Sequence, residues 1–452
     1  MMMFYRNHLK YLIKWKSSPQ RRPLILRGAR QVGKTYLVRD FAKKEFSQFI
    51  EVNFDHPTIK DLIPLFESTS PKDLIPLLEI HFRTKIIAGQ TLLFFDEIQN
   101  APKLIPMLRY FYEDFPELHV IAAGSLLEFV LATHEFSMPI GRIEYLHLAQ
   151  MTFPEFLLAI DEKPLHDFML GFSIHKKIPL PFHQRLMDLA RLYFVLGGMP
   201  EVIKTYTETT DFEACFKIQQ NILSTYQDDF HKYHKRVNQN RLRNIFSKLP
   251  LMVGQKIKYV NLDPQDQSRP LSEAIDLLCM ALVCHRVHHS SCQGVPLRAQ
   301  INERIFKILF LDVGLLCQSS GLGYIDIKKS EDVNLINQGA ITEQFIGQHL
   351  LYDHQPYQEP EVFYWLREKR NAAAEIDYVF SENQQIIPVE VKSGKTGQLK
   401  SLHVFMKEHP SLRAVRFNGD EPSIYKHDAM TLISLPIYLI GELRRIVNET
   451  IS

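Results

Sequence analysis

Cysteine is scarce and odd in number: Cys215, Cys279, Cys284, Cys292 and Cys317 are the only five in 452 residues. That supply fits a reducing compartment and a cytoplasmic protein better than a disulfide framework. An excess of one charge is also missing, with 53 Lys and Arg against 51 Asp and Glu and a formal net charge of +2. A globally basic coat for nucleic acid is thereby excluded, although a local patch is not. No window approaches the roughly 18 to 20 apolar residues of a membrane span, so no membrane partner is expected. Low-complexity tracts are absent too. What remains, 45% hydrophobic and 23% charged residues, describes a globular chain. Its length accommodates roughly two to four domains. Residues 1–16 carry charges throughout and have no apolar core followed by a small-residue cleavage site. They read as an amphipathic helix packed on the domain that follows.

The strongest pattern is LILRGARQVGKTY at residues 24–36. A short apolar run leads into Gly28, Ala29, Arg30, Gln31, Val32, Gly33, Lys34 and Thr35, which fill every fixed position of G-x-x-x-x-G-K-T. Glycines let the backbone turn so that its amides face an anion, and the following helix adds its positive end. Lys34 is expected to reach the β- and γ-phosphates of ATP, and the Thr35 hydroxyl to bind magnesium. Strand, loop and helix come in the order that this chemistry requires.

A second strand is expected over residues 46–54. The next strong signal is TLLFFDE at residues 91–97, whose unbroken apolar run suits a parallel strand buried on both faces. An acidic pair at its carboxyl end stands where an open α/β sheet places a nucleotide. Asp96 would orient the magnesium shell and Glu97 would polarise the attacking water. Another apolar strand, residues 118–123, ends at Gly124 and Ser125, and Ser125 could sense the γ-phosphate or serve as a helix N-cap. Arg142, beside Gly141, could contact the γ-phosphate of its own or a neighbouring subunit, which makes a homo-oligomer one expectation; a structural ion pair is the other. Gly197 and Gly198 interrupt a helical region and could allow a close backbone approach to the nucleotide.

Charge is most uneven between residues 230 and 262. Lys232, Lys235, Arg236, Arg241, Arg243, Lys248, Lys256 and Lys258 occur there without one Asp or Glu, while Leu242, Ile245, Phe246 and Leu249 supply an apolar face. The block is a DNA-backbone contact surface or a solvated face. Cys284, His285, His288, His289 and Cys292 cluster, but in no spacing of a closed zinc site, and read as a hairpin with incidental histidines.

The last third holds a second group of carboxylates. Glu343 lies in a helical run, Asp377 begins the strand YVF, and Glu390 and Lys392 lie on IIPVEVK. A period of two puts Glu390 and Lys392 on one face. A hairpin would set Asp377 beside Glu390, an arrangement able to hold Mg2+ and direct water at a phosphodiester. Pro388 in that strand points to an edge or a strand start.

Taken in order, GARQVGKT, DEIQ, GSLLEF, Gly141-Arg142, FPEF and GGMP resemble a prokaryotic group of AAA+-type ATPases related to the archaeal ATPases. The later segments FLDVGL, GAITEQFI, FYWLRE, AEIDYV and PVEVKSG extend the resemblance to a C-terminal domain of unknown function similar to the PD-(D/E)xK nuclease fold. The resemblance implies an α/β P-loop core at 23–155 behind an N-terminal helix at 1–22, and a helical lid at 156–228. A winged-helix-like middle at 229–325 and a restriction-endonuclease-like α/β domain at 326–452 would follow. Lys34 and Thr35 match its phosphate loop and Asp96 and Glu97 its acidic motif. Asp377, Glu390 and Lys392 match the nuclease triad, with Glu343 at the helical acidic position. ATP and Mg2+ are the implied cofactors, with DNA the implied partner of the basic block and the terminal domain.

Overall fold

The computed structural model describes residues 4–125, 127–133, 141–230, 237–322, 338–368, 373–392, 399–409, 411–427 and 430–450. Lys232, Lys235 and Arg236 of the basic block lie outside them. The chain forms two compact units, residues 1–150 with 355–360, and residues 151–354 with 361–452. Among the described residues no helix is long and apolar enough to cross a membrane.

The first unit is built on five parallel strands, β1 (Leu24–Arg27), β2 (Gln48–Asn53), β3 (Thr91–Asp96), β4 (His119–Ala123) and β5 (Glu144–His147), in the order β2-β3-β4-β1-β5. Every residue of β3 and β4 is buried. That explains the apolar run of β3, since helices cover both faces of a parallel sheet. One face packs Ile25, Leu93, Phe95, Val120 and Ala122 against Leu104, Leu108 and Phe111 of the helix Leu104–Asp114. The N-terminal helix His8–Ser17 packs within this unit through buried Leu12 and Trp15, the latter edge-on to His119 at 5.7 Å.

The second unit begins with a run of helices, Phe153–Ala159 to Phe212–Asp229. An eight-stranded mixed sheet follows, made of β6 (Cys284–Ser290), β7 (Ile301–Phe310), β8 (Val362–Arg367), β9 (Ala374–Glu382), β10 (Gln385–Val391), β11 (Arg413–Asn418), β12 (Ser423–His427) and β13 (Met430–Pro436). Its order is β12-β13-β11-β10-β9-β8-β6-β7. The strands expected in a separate middle domain at 229–325 therefore belong to the sheet of the terminal one. No sheet boundary falls at 325, because β6 runs parallel beside β8, pairing Val287 with Val362.

Pro388 is also placed differently from the expectation. Strand β10 is interior, between β9 and β11, and Pro388 pairs with Val379 in its middle. The ladder to β11 begins only at Val389. A residue without an N–H is tolerated there because the second neighbour has not yet joined.

Candidate functional site

The phosphate loop links β1 to the helix Lys34–Glu45, with Gly33 at its N-cap at φ +93°. Gly28, at φ +153°, is held so near the end of β5 that a Cβ would lie 2.3 Å from the Leu148 carbonyl oxygen. No side chain fits, which is the physical reason for glycine at this end of the motif. Lys34 is buried, and its ammonium donates to the carbonyls of Gly28 at 2.8 Å and Ala29 at 2.7 Å. Burial lowers its pKa to about 8, against the opposing pull of Glu97 and Asp96. An entering phosphate would add countercharge directly at this ammonium.

The strand order sets the remaining groups opposite the loop, since β4 separates β1 from β3. The Thr35 hydroxyl donates to Asp96 Oδ2 at 3.0 Å, bringing the two expected magnesium-shell residues together. Asp96 is 3% exposed, and burial, then the neighbouring Glu97, push its carboxyl up to about 6. Glu97 takes a left-handed backbone, φ +54° and ψ +43°. Its carboxylate accepts from Ser125 Oγ at 3.2 Å and from the Gln99 amide. Arg30 Nε in turn donates to Ser125 Oγ at 3.4 Å. Ser125 at the tip of β4 thus bridges the loop and the acidic pair. A hydroxyl and a carboxylate 3.0 Å apart beside a glycine loop fit a magnesium bound to nucleotide, which takes a few protein oxygens and completes its shell from phosphate and water.

Arg142 is displaced from this cluster. It precedes β5, and β5 is parallel to β1, so it lies at the amino edge of the sheet while the loop leaves the carboxyl edge. The Glu144 N–H donates to Pro23, the residue before β1. Arg142 Nε pairs with Glu113 at 2.9 Å, and its guanidinium stands 5.7 Å from the Tyr112 ring centroid. Contact with the phosphates of its own subunit is corrected to a structural ion pair, because a strand length of roughly 13 Å intervenes. One contributor to the loop has no motif at all. Arg6, buried, donates to Val32 O at 2.9 Å and to Ala149 O at 2.6 Å, tying the N-terminal segment to the loop.

Gly197 and Gly198 have a packing role within the second unit. They receive Asp312: the Gly198 N–H donates to Asp312 Oδ2 at 2.7 Å, and a Cβ on Gly197 would lie 1.9 Å from Oδ1.

In the second unit the register of β9 and β10 pairs Tyr378 with Val389, which sets Asp377 opposite Glu390 as the hairpin expectation requires. Asp377 Oδ2 accepts the Val391 N–H at 2.7 Å, and Lys392 donates to Glu390 Oε1. Glu390 is buried, and among the described residues its Oε2 has no hydrogen-bond partner. Burial, then Asp377, raise its carboxyl to about 7. Burial pulls the Lys392 ammonium down, but Glu390, with Asp377 and Glu343, together hold it above its ordinary value. Glu343, on the helix Gln338–Leu351, is pushed up to about 7 by burial against the pull of Lys307.

Lys307 is the residue that motif reading misses. It lies on β7, 1% exposed, with its ammonium 2.9 Å from Glu343 Oε1, in contact with Glu375 and 4.0 Å from Asp377 Oδ1. Burial pulls its pKa down, but Glu343, Asp377 and Glu375 hold the ammonium well above its ordinary range. The available signal was a single lysine inside the otherwise apolar run IFKILFL. Among the described residues no group of three or more His, Cys, Asp or Glu side chains is arranged to hold a metal ion. Glu343 faces a lysine instead, so the three carboxylates expected for magnesium, Glu343, Asp377 and Glu390, do not fit one as placed.

The basic block is partly committed inside the unit. Arg241 pairs with Asp266, Lys248 donates to Leu262 O, and Lys256 pairs with Glu368 at 2.6 Å. Arg243 and Lys258 are exposed. His289 accepts the Leu366 N–H at 3.2 Å, and His285 lies edge-on to Tyr352, so these histidines brace β6.

Residues 20–157 match a family model described as an AAA domain. Residues 187–325 and 338–438 match two models, DUF8612 and DUF4143, each described as a domain of unknown function. Among solved structures, a Walker-type ATPase of Pyrococcus abyssi is 16% identical, covering 70% of this chain and 96% of its own, with a TM-score of 0.44. The ORC2 protein of Aeropyrum pernix is 12% identical over 73% of this chain and 96% of its own, at 0.35. RuvB of Thermotoga maritima, described as a Holliday junction branch migration motor, is 15% identical over 63% and 90%, at 0.26. No curated protein matches.

Proposed function

With residues 20–157 an AAA-type P-loop ATPase domain, we propose that this ATP-hydrolysing chain is a nucleotide-controlled switch whose second unit recognises DNA. The observation that carries the nucleotide reading is the 3.0 Å contact of Thr35 with Asp96 beside the phosphate loop. Lys34 binds the β- and γ-phosphates, Thr35 and Asp96 hold the magnesium shell, and Glu97 orients the attacking water. When bound, magnesium neutralises charge on the phosphate oxygens. Ser125 and Gln99 fix the Glu97 carboxylate, and Arg30 and Ser125 sense the γ-phosphate. The DNA reading draws support from exposed Arg243 and Lys258 within a stretch that lacks acidic residues.

A second reading, magnesium-dependent cleavage of DNA at Asp377, Glu390 and Lys392, is favoured by the register of β9 and β10. The ammonium of Lys307 beside Asp377 and Glu343 favours recognition without cleavage. The test crosses nucleotide state with DNA cutting. Wild type, Lys34→Ala and Lys392→Ala are incubated with magnesium, with and without ATP, on supercoiled, single-stranded and branched DNA. ATP hydrolysis lost in Lys34→Ala, with DNA bound but intact throughout, is the expected result. Cutting by wild type that is lost in Lys392→Ala would install the nuclease reading instead.

A further inference from the structure

Lys307 belongs to none of the motifs, yet it stands at the centre of the second unit's carboxylates. In a flat sheet β7 and β9 would be three strand intervals apart, roughly 14 Å. The contacts of Lys307 with Glu375 and Asp377 of β9 therefore reach across the intervening β6 and β8. The helix Gln338–Leu351 brings Glu343 from another direction, and the Tyr364 ring centroid lies 5.1 Å from the ammonium. A lysine at 1% exposure is sustained only where such partners replace water.

We propose that Lys307 is the resident cation of this cluster, standing where a divalent ion would otherwise stand, and that the second unit is complete without a metal. An ammonium offers three donors on a compact charge. Here they face Glu343, Glu375 and Asp377, two of which, Glu343 and Asp377, belong to the carboxylates that a magnesium or manganese ion would need, and the charge repels a second cation. Of the remaining oxygens, Asp377 Oδ2 is committed to the Val391 N–H and Glu390 Oε1 to Lys392. Glu390 Oε2, buried without a partner among the described residues, is left as a single uncommitted carboxylate oxygen, and the Lys307 ammonium near Asp377 opposes a cation there. The inference deepens the recognition reading and is independent of the ATP site.

The test counts Mn2+ bound to the full chain without nucleotide, by the loss of the free-ion electron paramagnetic resonance signal. Wild type, Asp377→Asn, Lys307→Met and Lys307→Met with Asp377→Asn are compared. The expected result is equal Mn2+ binding by wild type and Asp377→Asn. Lys307→Met gains one further ion, which the double variant loses. An ion on wild type that Asp377→Asn or Glu390→Gln removes would overturn the proposal, as would a folded Lys307→Met that gains none. Should Lys307→Met not fold, the charge-conserving pair Lys307→Met with Glu343→Gln decides. Its folding supports a counter-ion role, and its failure to fold overturns one. Metal on wild type that Asp377→Asn removes, without cleavage, would sink this inference while leaving recognition of DNA intact.

Discussion

The Asp312 carboxylate fastens two glycine-bearing turns to each other. Oδ2 accepts the Gly198 N–H at 2.7 Å, while Oδ1 accepts those of Gly314 at 2.9 Å and Leu315 at 3.1 Å at the start of the helix Val313–Ser319. Gly197, at φ +71°, meets Oδ1 so closely that a side chain there would displace it. The Leu196–Pro200 and Phe310–Leu315 words of the sequence are thus two halves of one joint, both within the second unit.

Removing that carboxylate has a definite consequence. Asp312→Ala leaves three buried N–H groups without acceptors, a cost of about 3 kcal/mol in unfolding free energy. Burial also raises the Asp312 carboxyl to about 6, against roughly 3.9 in an unfolded chain. A raised carboxyl means that the native state holds its proton longer. The group's contribution is therefore full below about pH 4 and declines as pH rises through 6. Subtracting the pH profile of Asp312→Ala from that of wild type, in urea unfolding, should leave this falling step. A difference flat in pH would contradict it.

Much of the first unit was legible because its chemistry is local. The loop from Gly28 to Thr35 is contiguous, and the apolar run of β3 announces both its burial and the position of Asp96. The pairing of Asp377 with Glu390 was legible for a similar reason, since a two-residue period and a short hairpin fix the register. Arg142 was not, because a motif says nothing about which edge of a parallel sheet a residue occupies; that follows only from the pairing of β5 with β1. Lys307 and Arg6 were hidden by distance along the chain. Each meets partners supplied by other elements, and neither has a spacing rule that names them.

The nucleotide site predicts a two-sided pH response. Lys34, lowered to about 8 by burial, loses charge above that value and binds phosphate less well. Asp96, raised to about 6 by burial and Glu97, gains a proton below it and holds magnesium less well. Affinity for magnesium-ATP, measured by calorimetry, should therefore be greatest between about 6 and 8. Asp96→Asn should weaken binding and flatten the acid limb, leaving the alkaline limb. An acid limb unchanged in that variant would remove Asp96 as its source.

Arg142 tests the edge assignment. An arginine finger contributes about 10³- to 10⁵-fold to turnover. Because Arg142 pairs with Glu113 at the amino edge, Arg142→Ala should leave phosphate release by dilute protein unchanged. A loss that grows with protein concentration, and is rescued by mixing with Lys34→Ala chains that retain Arg142, would assign it to a neighbouring subunit's site.

The basic stretch separates into residues that face solvent and residues that hold the fold. Arg243 and Lys258 are exposed, whereas Arg241 and Lys256 pair with Asp266 and Glu368. If DNA is the partner, replacing Arg243 and Lys258 by Ala removes two phosphate contacts. The slope of log affinity against log salt should then fall in magnitude by about 1.8. Stability should change little, because an exposed side chain with no role in packing is worth only about 0.5 kcal/mol. Arg241→Ala should behave in the opposite way. Its loss strands the half-buried Asp266, so thermal stability falls while the salt slope of the folded protein stays as in wild type. Fluorescence anisotropy over a salt series reads the first quantity and calorimetric melting the second. A salt slope that is identical in wild type and in the Arg243→Ala, Lys258→Ala pair would take this surface out of DNA binding altogether.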